Sequence, residues 1–414
     1  FLKKQLNTSL RSFTSQNSLT DLVSEYDGNI ADFKQQLSLI QAEEEDINQS
    51  NIWSYTLINV FSSTISLIFL YFIDMVNLSF VGHTKESDLN IASIGVGQLV
   101  VNVFCLLLMV GSLGGLDTLG AYCYGSKDYH SLGIVTIRMR MILIAYFFLI
   151  TLPSCLYSNQ ILLFMGIDSQ IAKRVGIYTY KMLPAIFFLY NFNVNIRYFQ
   201  VMQSYFWPSV ISSFTMVLHY FLNTMAFNYY KQDFDFTHVV YVTNISCFCG
   251  FVLTCVMAFV FNPAPESLLL FPRGVLNLNE FVFFFKLCLF SGLSLFGDFV
   301  GYEVVTFMAN YMSHSENSAT LIIRNYILTM GFIYSGSSLP LGQIVAYCLG
   351  KNDHDFYKFV IAVYTKLNLL IGLGLCLFTL FMREHIIRFY TNNELTLQIA
   401  SPVFALFSIF IIFD

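Results

Sequence analysis

From residue 51 onward the chain is a succession of long apolar runs separated by short polar gaps. No other feature narrows the possible folds so far. The runs are read at 52–80, 91–115, 134–157, 175–199, 203–230, 239–262, 280–311, 320–348, 357–382 and 395–414. Each is long enough to cross a bilayer as a helix, which takes about 20 residues. Hydrocarbon offers no water to backbone N–H and C=O groups, so a spanning segment must pair them internally, as a helix does. The expected fold is an all-α polytopic membrane protein with ten spans in this chain. Composition agrees: 56% of residues are apolar and only 11% are charged, against about 25% charged in soluble domains. A soluble core could not hide this much apolar surface. A net charge of −5 argues against a nucleic-acid partner; the first partner is the lipid bilayer.

Residues 1–50 form a different segment, a polar N-terminal arm that ends in Glu43-Glu44-Glu45-Asp46. Its start carries Lys3, Lys4 and Arg11 without an acid, and Leu2, Leu6, Leu10 and Phe13 follow helical spacing. A cytosolic tail, a short interfacial helix and part of an organelle transit peptide all fit. Charges in the later loops show no bias that would orient the chain. The Pro-dense stretch FNPAPESLLLFPRG, 261–274, divides the spans. The expected organisation is an N-lobe of six spans over 51–262, a linker over 263–279 and an incomplete C-lobe of four spans over 280–414.

An internal repeat supports the division. AYCYGSKDYH (121–130) returns as AYCLGKNDHD (346–355), pairing Ala121 with Ala346, Tyr122 with Tyr347, Cys123 with Cys348 and Gly125 with Gly350. ILLFMGID (161–168) aligns with IIRFYTNN (386–393) at the same offset of 225. Duplicated bundles of this size are a mark of transporters, with the site between the repeats near the midplane. The repeat predicts twelve spans in the intact protein, with roughly 65 residues beyond Asp414 completing the second copy.

Other chemistries are poorly supported. GAYCYGSK has Gly-Ser-Lys in the wrong order for a phosphate loop, which leaves an ion gradient as the energy source. The nine Cys contain no CxxC and the seven His show no metal spacing, so neither a metal, a cofactor nor an enzyme is expected. Asn7, Asn48 and Asn244 open glycosylation triplets, a pattern frequent by chance.

Ionisable groups at membrane depth mark the candidate site, because each costs about 2.5–3.5 kcal/mol to insert. The seventh span holds Asp298 and Glu303. Five residues turn a helix by about 140° and advance it about 7.5 Å, so the two acids share a wide face without stacking. Ser291, Ser294 and Tyr302 extend the polar sector. A carboxylate there binds a proton or an organic cation, and competition couples the two; the structural alternative is a pair with Arg324. Tyr302 and Tyr326 are candidates to stack on a cation. Asn193 and Asn195 read as helix–helix hydrogen-bonding groups, and Asn102 either as another or as an ion-coupling or substrate-binding candidate. In SLGGLDTLG, glycines allow close helix approach and Asp117 reads as a structural hydrogen-bonding residue near a helix end.

Several stretches resemble the MATE (multidrug and toxic compound extrusion) family. They are MVNLSFVGH (75–83), VVNVFCLLLMVGSLGGLDTLGAYCYGSKDYHSLG (100–133), LPAIFFLYNFNVNIRYFQVMQSYFWPSVISS (183–213), KLCLFSGLSLFGDFVGYEV (286–304), VAYCLGKND (345–353) and the closing IIFD. Asp117-Thr118-Leu119 and Tyr124-Gly125 match the family pattern, while Ala121-Tyr122 departs from its Gly-Gln. The resemblance implies twelve helices in two pseudo-symmetric bundles of six. It implies export of organic cations, drugs or metabolites against protons or sodium, with acids at Asp298 and Glu303 as in eukaryotic members. Asn77 stands where the family's first-helix acid sits, which points to a second-lobe mechanism; Asp74, one turn away, is a substitute. Asn325 replaces a common Glu, and Asp414 falls on an acidic position of the tenth helix. The expectation is a proton-coupled antiporter of small organic substrates in a plasma or vacuolar membrane, with the mitochondrial inner membrane left open by the N-terminal arm. The alternatives are a non-transporting scaffold subunit of a larger membrane complex, or a carrier of anionic or lipid-linked substrates.

Overall fold

The computed structural model describes residues 52–81, 87–269, 272, 274–309, 314–390 and 394–410. The N-terminal arm and Asp414 lie outside these residues. The helices in chain order are α1 (Ile52–Val81), α2 (Ser87–Val101), α3 (Leu107–Ser112), α4 (Gly114–Gly125), α5 (Tyr129–Tyr146), α6 (Leu152–Leu156) and α7 (Ser158–Phe164). They continue with α8 (Ser169–Val201), α9 (Phe206–Tyr230), α10 (Phe236–Val260), α11 (Leu278–Ala309), α12 (His314–Gly350), α13 (His354–Tyr390) and α14 (Glu394–Phe410). Each expected span falls on one helical rod. The second rod runs on through α4 to Gly125, ten residues past the expected end at 115, so Asp117 sits mid-rod, in the first turn of α4 after a break at Leu113.

Among the described residues, six helices are long and apolar enough to cross a membrane by length and composition. The rod α8 is not one of them. It carries Lys173, Arg174, Lys181 and Arg197, and it buries Tyr190, Asn195, Arg197 and Gln200. It packs chiefly against α10. Polar groups that find partners inside the bundle relax the need for an apolar surface.

Local chemistry sets the helix ends. Asp168 accepts from the N–H groups of Gln170 and Ile171 at 2.8 and 3.3 Å and starts α8. Asp235 and His238 form a capping box that starts α10, satisfying N–H groups that have no intrahelical acceptor. Pro184 lies inside α8. Asn244 on α10 bridges that site: its amide donates to the Lys181 carbonyl at 3.0 Å and its oxygen accepts from the Ala185 N–H at 2.9 Å. The glycosylation triplet at Asn244 is therefore a mid-helix clamp.

Two π-helical segments, Asn102–Leu106 and Phe147–Thr151, lie side by side. The wider turn frees carbonyls, and tyrosines take them: Tyr146 Oη donates to Phe104 at 2.6 Å and Tyr190 Oη to Cys105 at 2.7 Å. Asn102 opens the first π segment and is half-buried. Asn195 spans helices, donating to Thr254 Oγ1 at 2.9 Å, whereas Asn193 donates to its own helix at Leu189.

The two halves of the chain meet in a crossed pattern. α1 of the first half packs on α12 of the second, and α3 and α4 pack on α11 and α12.

Candidate functional site

The repeated corners have the same backbone. Lys127 and Asn352 both lie in the left-handed region, at φ 61° and 60°. The Asp128 N–H bonds back to the Cys123 carbonyl at 2.9 Å, and the Asp353 N–H to the Cys348 carbonyl at 3.0 Å, the six-to-one closure of a Schellman turn. Each Asp then caps the next helix, Asp128 accepting from Ser131 N and Asp353 from Phe356 N, both at 3.0 Å. Asp128 is solvent-facing, and the hydrogen bond from Ser131 holds its carboxyl below the usual range.

These corners also touch each other. A Cβ on Gly125 would collide with the Tyr347 carbonyl oxygen, and one on Gly350 with that of Tyr122. The contact is reciprocal, as a pseudo-two-fold axis between the copies requires. The tyrosine rings of Tyr124 and Tyr347 lie 5.9 Å apart. Higher along the rods, Gly111 abuts Gly292 of α11, and Gly336, its counterpart in the repeat, abuts Thr64 of α1. Only residues without side chains let two backbones come this close.

Asp117 joins the halves just above the corners. Its Oδ1 accepts from Gln343 Nε2 of α12 at 2.7 Å, and its Oδ2 lies 3.6 Å from Arg197 Nη1 of α8. Tyr205 Oη donates to Gln343 Oε1 at 2.8 Å. Burying a carboxylate is costly unless it is paired and hydrogen-bonded. Here one half supplies the charge partner and the other supplies the amide. Gln343, Arg197 and Tyr205 carried no recognisable sequence signal for this role.

A second polar cluster surrounds Asn77 in the first half. Asn77 Nδ2 donates to Thr243 Oγ1 at 3.1 Å, and the Thr243 hydroxyl donates to the Val239 carbonyl at 2.8 Å. This fixes the amide with its oxygen 2.8 Å from His219 Nε2. His219 Nδ1 meets Ser246 Oγ at 3.0 Å, and Asn223 Nδ2 donates to the His219 carbonyl at 3.1 Å. Asn77, His219 and Asn223 are all at most 1% exposed. The spacing of His219 and Asn223, one helical turn apart on α9, was the available signal for the cluster.

Asp298, Tyr302 and Glu303 lie on α11, past the close approach at Gly292. Their side chains, with those of Asn325 on α12 and Asp74 on α1, lie outside the described residues. The rise from Gly292 puts Asp298 about 9 Å and Glu303 about 16 Å beyond the joined corners' side of the contact. Tyr326 is a packing residue rather than an open aromatic: it is buried, bonds through its hydroxyl to Thr379, and its ring lies tilted 5.1 Å from that of Phe404. All nine cysteines are free thiols, and no cluster of metal-ligating side chains occurs among the described residues.

Comparison with known proteins agrees with this arrangement. The family model MatE matches residues 63–225 and 291–414. Protein DETOXIFICATION 9 of Arabidopsis thaliana is 27% identical over 255 residues, covering 61% of this chain and 51% of that protein. Protein DETOXIFICATION 16 of the same plant is 27% identical over 301 residues, covering 70% and 59%. The chain thus spans about half the length of the curated relatives it matches. The crystal structure of the eukaryotic MATE transporter AtDTX14 is similar with a TM-score of 0.78 at 15% identity, over 88% of this chain and 80% of that one. A MOP superfamily transporter from Pyrococcus furiosus is similar with a TM-score of 0.75 at 13% identity, over 86% and 79%. At these identities the structural likeness shows the fold. With the family model matching most of its length, the chain belongs to the MatE family of integral, multi-pass membrane proteins.

Proposed function

We propose that the chain belongs to a secondary transporter that exports organic cations or metabolites by alternating access, in exchange for protons. The observation that carries this reading is the reciprocal contact of the duplicated corners, joined by the Asp117–Gln343 hydrogen bond. Reciprocal glycine contacts and a carboxylate–amide hydrogen bond hold the two corners together in this state, and alternating access parts them. Asp298 and Glu303 supply the coupling carboxylates in the second lobe: a proton and a cation compete for them, so entry of one releases the other. Tyr302, Asn325 and Asp414 complete the expected surroundings, and Asn102 lies on the first-lobe side.

The test is efflux from proteoliposomes holding the intact protein. A pH gradient is expected to drive out an organic cation such as tetraethylammonium, and Asp298→Asn and Glu303→Gln are expected to abolish it. Efflux unchanged in both variants refutes the coupling assignment. A second reading, transport of less cationic or anionic substrates, is favoured by the neutral side chains around Asn77. The Pyrococcus protein, whose reversed pocket polarity suggests a different function, offers a parallel. Uptake of an organic anion in place of the cation would select it.

A further inference from the structure

The two copies differ at a place on the joined face. There a cleft of about 390 Å³ opens between α5 of the first half and α11 of the second. Ser131, Ile134, Val135 and Arg138 line one wall, with Asn279, Glu280 and Phe283 opposite. At the repeat offset, the α5 residues correspond to Phe356, Phe359, Val360 and Val363, and Glu280 corresponds to Tyr55. Those five pack together in a single apolar cluster on the other side of the pseudo-axis. The open cleft thus goes with four replacements: a serine and an isoleucine for two phenylalanines, an arginine for a valine and a glutamate for a tyrosine.

At the polar end of the cleft Arg138 and Glu280 neutralise each other. Arg138 Nη2 donates to Glu280 Oε2 at 2.8 Å and to the Gly274 carbonyl at 2.8 Å, and its Nε donates to the Val275 carbonyl at 3.0 Å. The Arg138 side chain is 5% exposed and the Glu280 side chain 59%. Glu280 Oε1 accepts from Asn277 Nδ2 at 2.7 Å, and the carboxylate keeps lone pairs facing outward. Ser131 and Glu280 each lie within the first turn of a helix long and apolar enough to span a bilayer, where a spanning helix meets the headgroups. Ile134 and Phe283 lie one turn deeper, at the height of acyl chains.

We propose that this cleft is a binding site for one zwitterionic phospholipid with a primary ammonium headgroup, of the phosphatidylethanolamine type. The ammonium donates to Glu280, the phosphate accepts from the Ser131 hydroxyl and the Asn279 amide, and the upper acyl chain lies on Ile134 and Phe283. An anionic headgroup is disfavoured because Glu280 already neutralises Arg138 and would repel a further negative charge. A choline headgroup offers the carboxylate no N–H. The lipid touches both halves on the face where they meet, so its binding stabilises the joined state over any state in which they part. The binding is independent of the transport reading; only its effect on turnover rests on that reading.

The test is native mass spectrometry of the intact protein released from nanodiscs of equal phosphatidylethanolamine, phosphatidylcholine and phosphatidylglycerol. One phosphatidylethanolamine per chain is expected to be retained above the other two. Ser131→Phe, which installs the counterpart residue, is expected to abolish retention. Glu280→Gln is expected to weaken it about tenfold, the loss of one charge-assisted hydrogen bond. Asp298→Asn, which tests transport, is expected to leave retention unchanged. Retention that tracks bulk lipid composition, prefers phosphatidylglycerol, or survives both substitutions overturns the proposal. Should Ser131→Phe fail to fold, the exposed Glu280→Gln variant decides alone.

Discussion

Replacing Gln343 by leucine removes two bonds at once, the 2.7 Å donation to Asp117 and the 2.8 Å acceptance from Tyr205. Leucine leaves the carboxylate with Arg197 at 3.6 Å and the buried Tyr205 hydroxyl without its acceptor. A hydrogen bond to a charged group contributes about 1.5–3 kcal/mol, and an orphaned buried hydroxyl costs about 1–3 kcal/mol. Part of this is recovered by water when the halves separate, so a net shift of about 3 kcal/mol is expected, roughly two decades in the equilibrium between joined and parted faces. The loss falls on the contact between halves and not on either half's own core, so thermal unfolding should move little. Amide hydrogen exchange reads the effect directly. Peptides covering 121–128 and 346–353 should both exchange faster in Gln343→Leu, and to a similar degree, because each corner is covered by the other. A double-mutant cycle with Asp117→Asn should be non-additive by about 1–3 kcal/mol. Unchanged exchange, acceleration in only one corner, or additivity within about 0.5 kcal/mol would refute the claim that this bond joins the halves.

Other outcomes follow from the same geometry. Gly125→Val should prevent the corners from meeting, so the proposed efflux is lost while circular dichroism keeps its helical signal; Gly350→Val should do the same because the contact is reciprocal. Asp128→Ala should cost about 1 kcal/mol through the lost helix cap. Because the folded-state carboxyl is held low by Ser131, that contribution is full above the unfolded value of about 3.9 and is lost as pH falls through the folded value. Melting curves of wild type and Asp128→Ala should therefore converge in acid. His219→Leu leaves the Asn77 oxygen buried without its partner, while the Ser246 hydroxyl keeps its bond to the Val242 carbonyl, and denaturation in detergent should show a loss of about 1–3 kcal/mol.

The spans were legible because their cause is local. A run of about 20 apolar residues must close its own hydrogen bonds in lipid, and that holds whatever the run packs against. The paired corners were legible for the same reason: a left-handed residue followed by an Asp cap is specified within ten positions. The partner of Asp117 was not, since Gln343 lies 226 positions away and nothing in local periodicity ties the two. Tyr326 read as a ligand-stacking ring only because its contact with Phe404 is invisible in one dimension. The triplet at Asn244 carries the same letters as an acceptor site, and only the neighbouring Pro184 of another helix shows it to be a clamp.

The sequence by itself determined an all-helical membrane protein made of two related copies, since helix closure, turn chemistry and repetition are properties of short stretches. The tertiary structure decided how the copies are used. It set Gly125 against Tyr347 and Gly350 against Tyr122, gave Asp117 a partner from each half, gathered Asn77 and His219 into one buried cluster, and opened the cleft beside Arg138 where its counterpart is closed. These are contacts between helices far apart in the chain. They depend on how surfaces fit once the spans stand side by side, which no single span encodes.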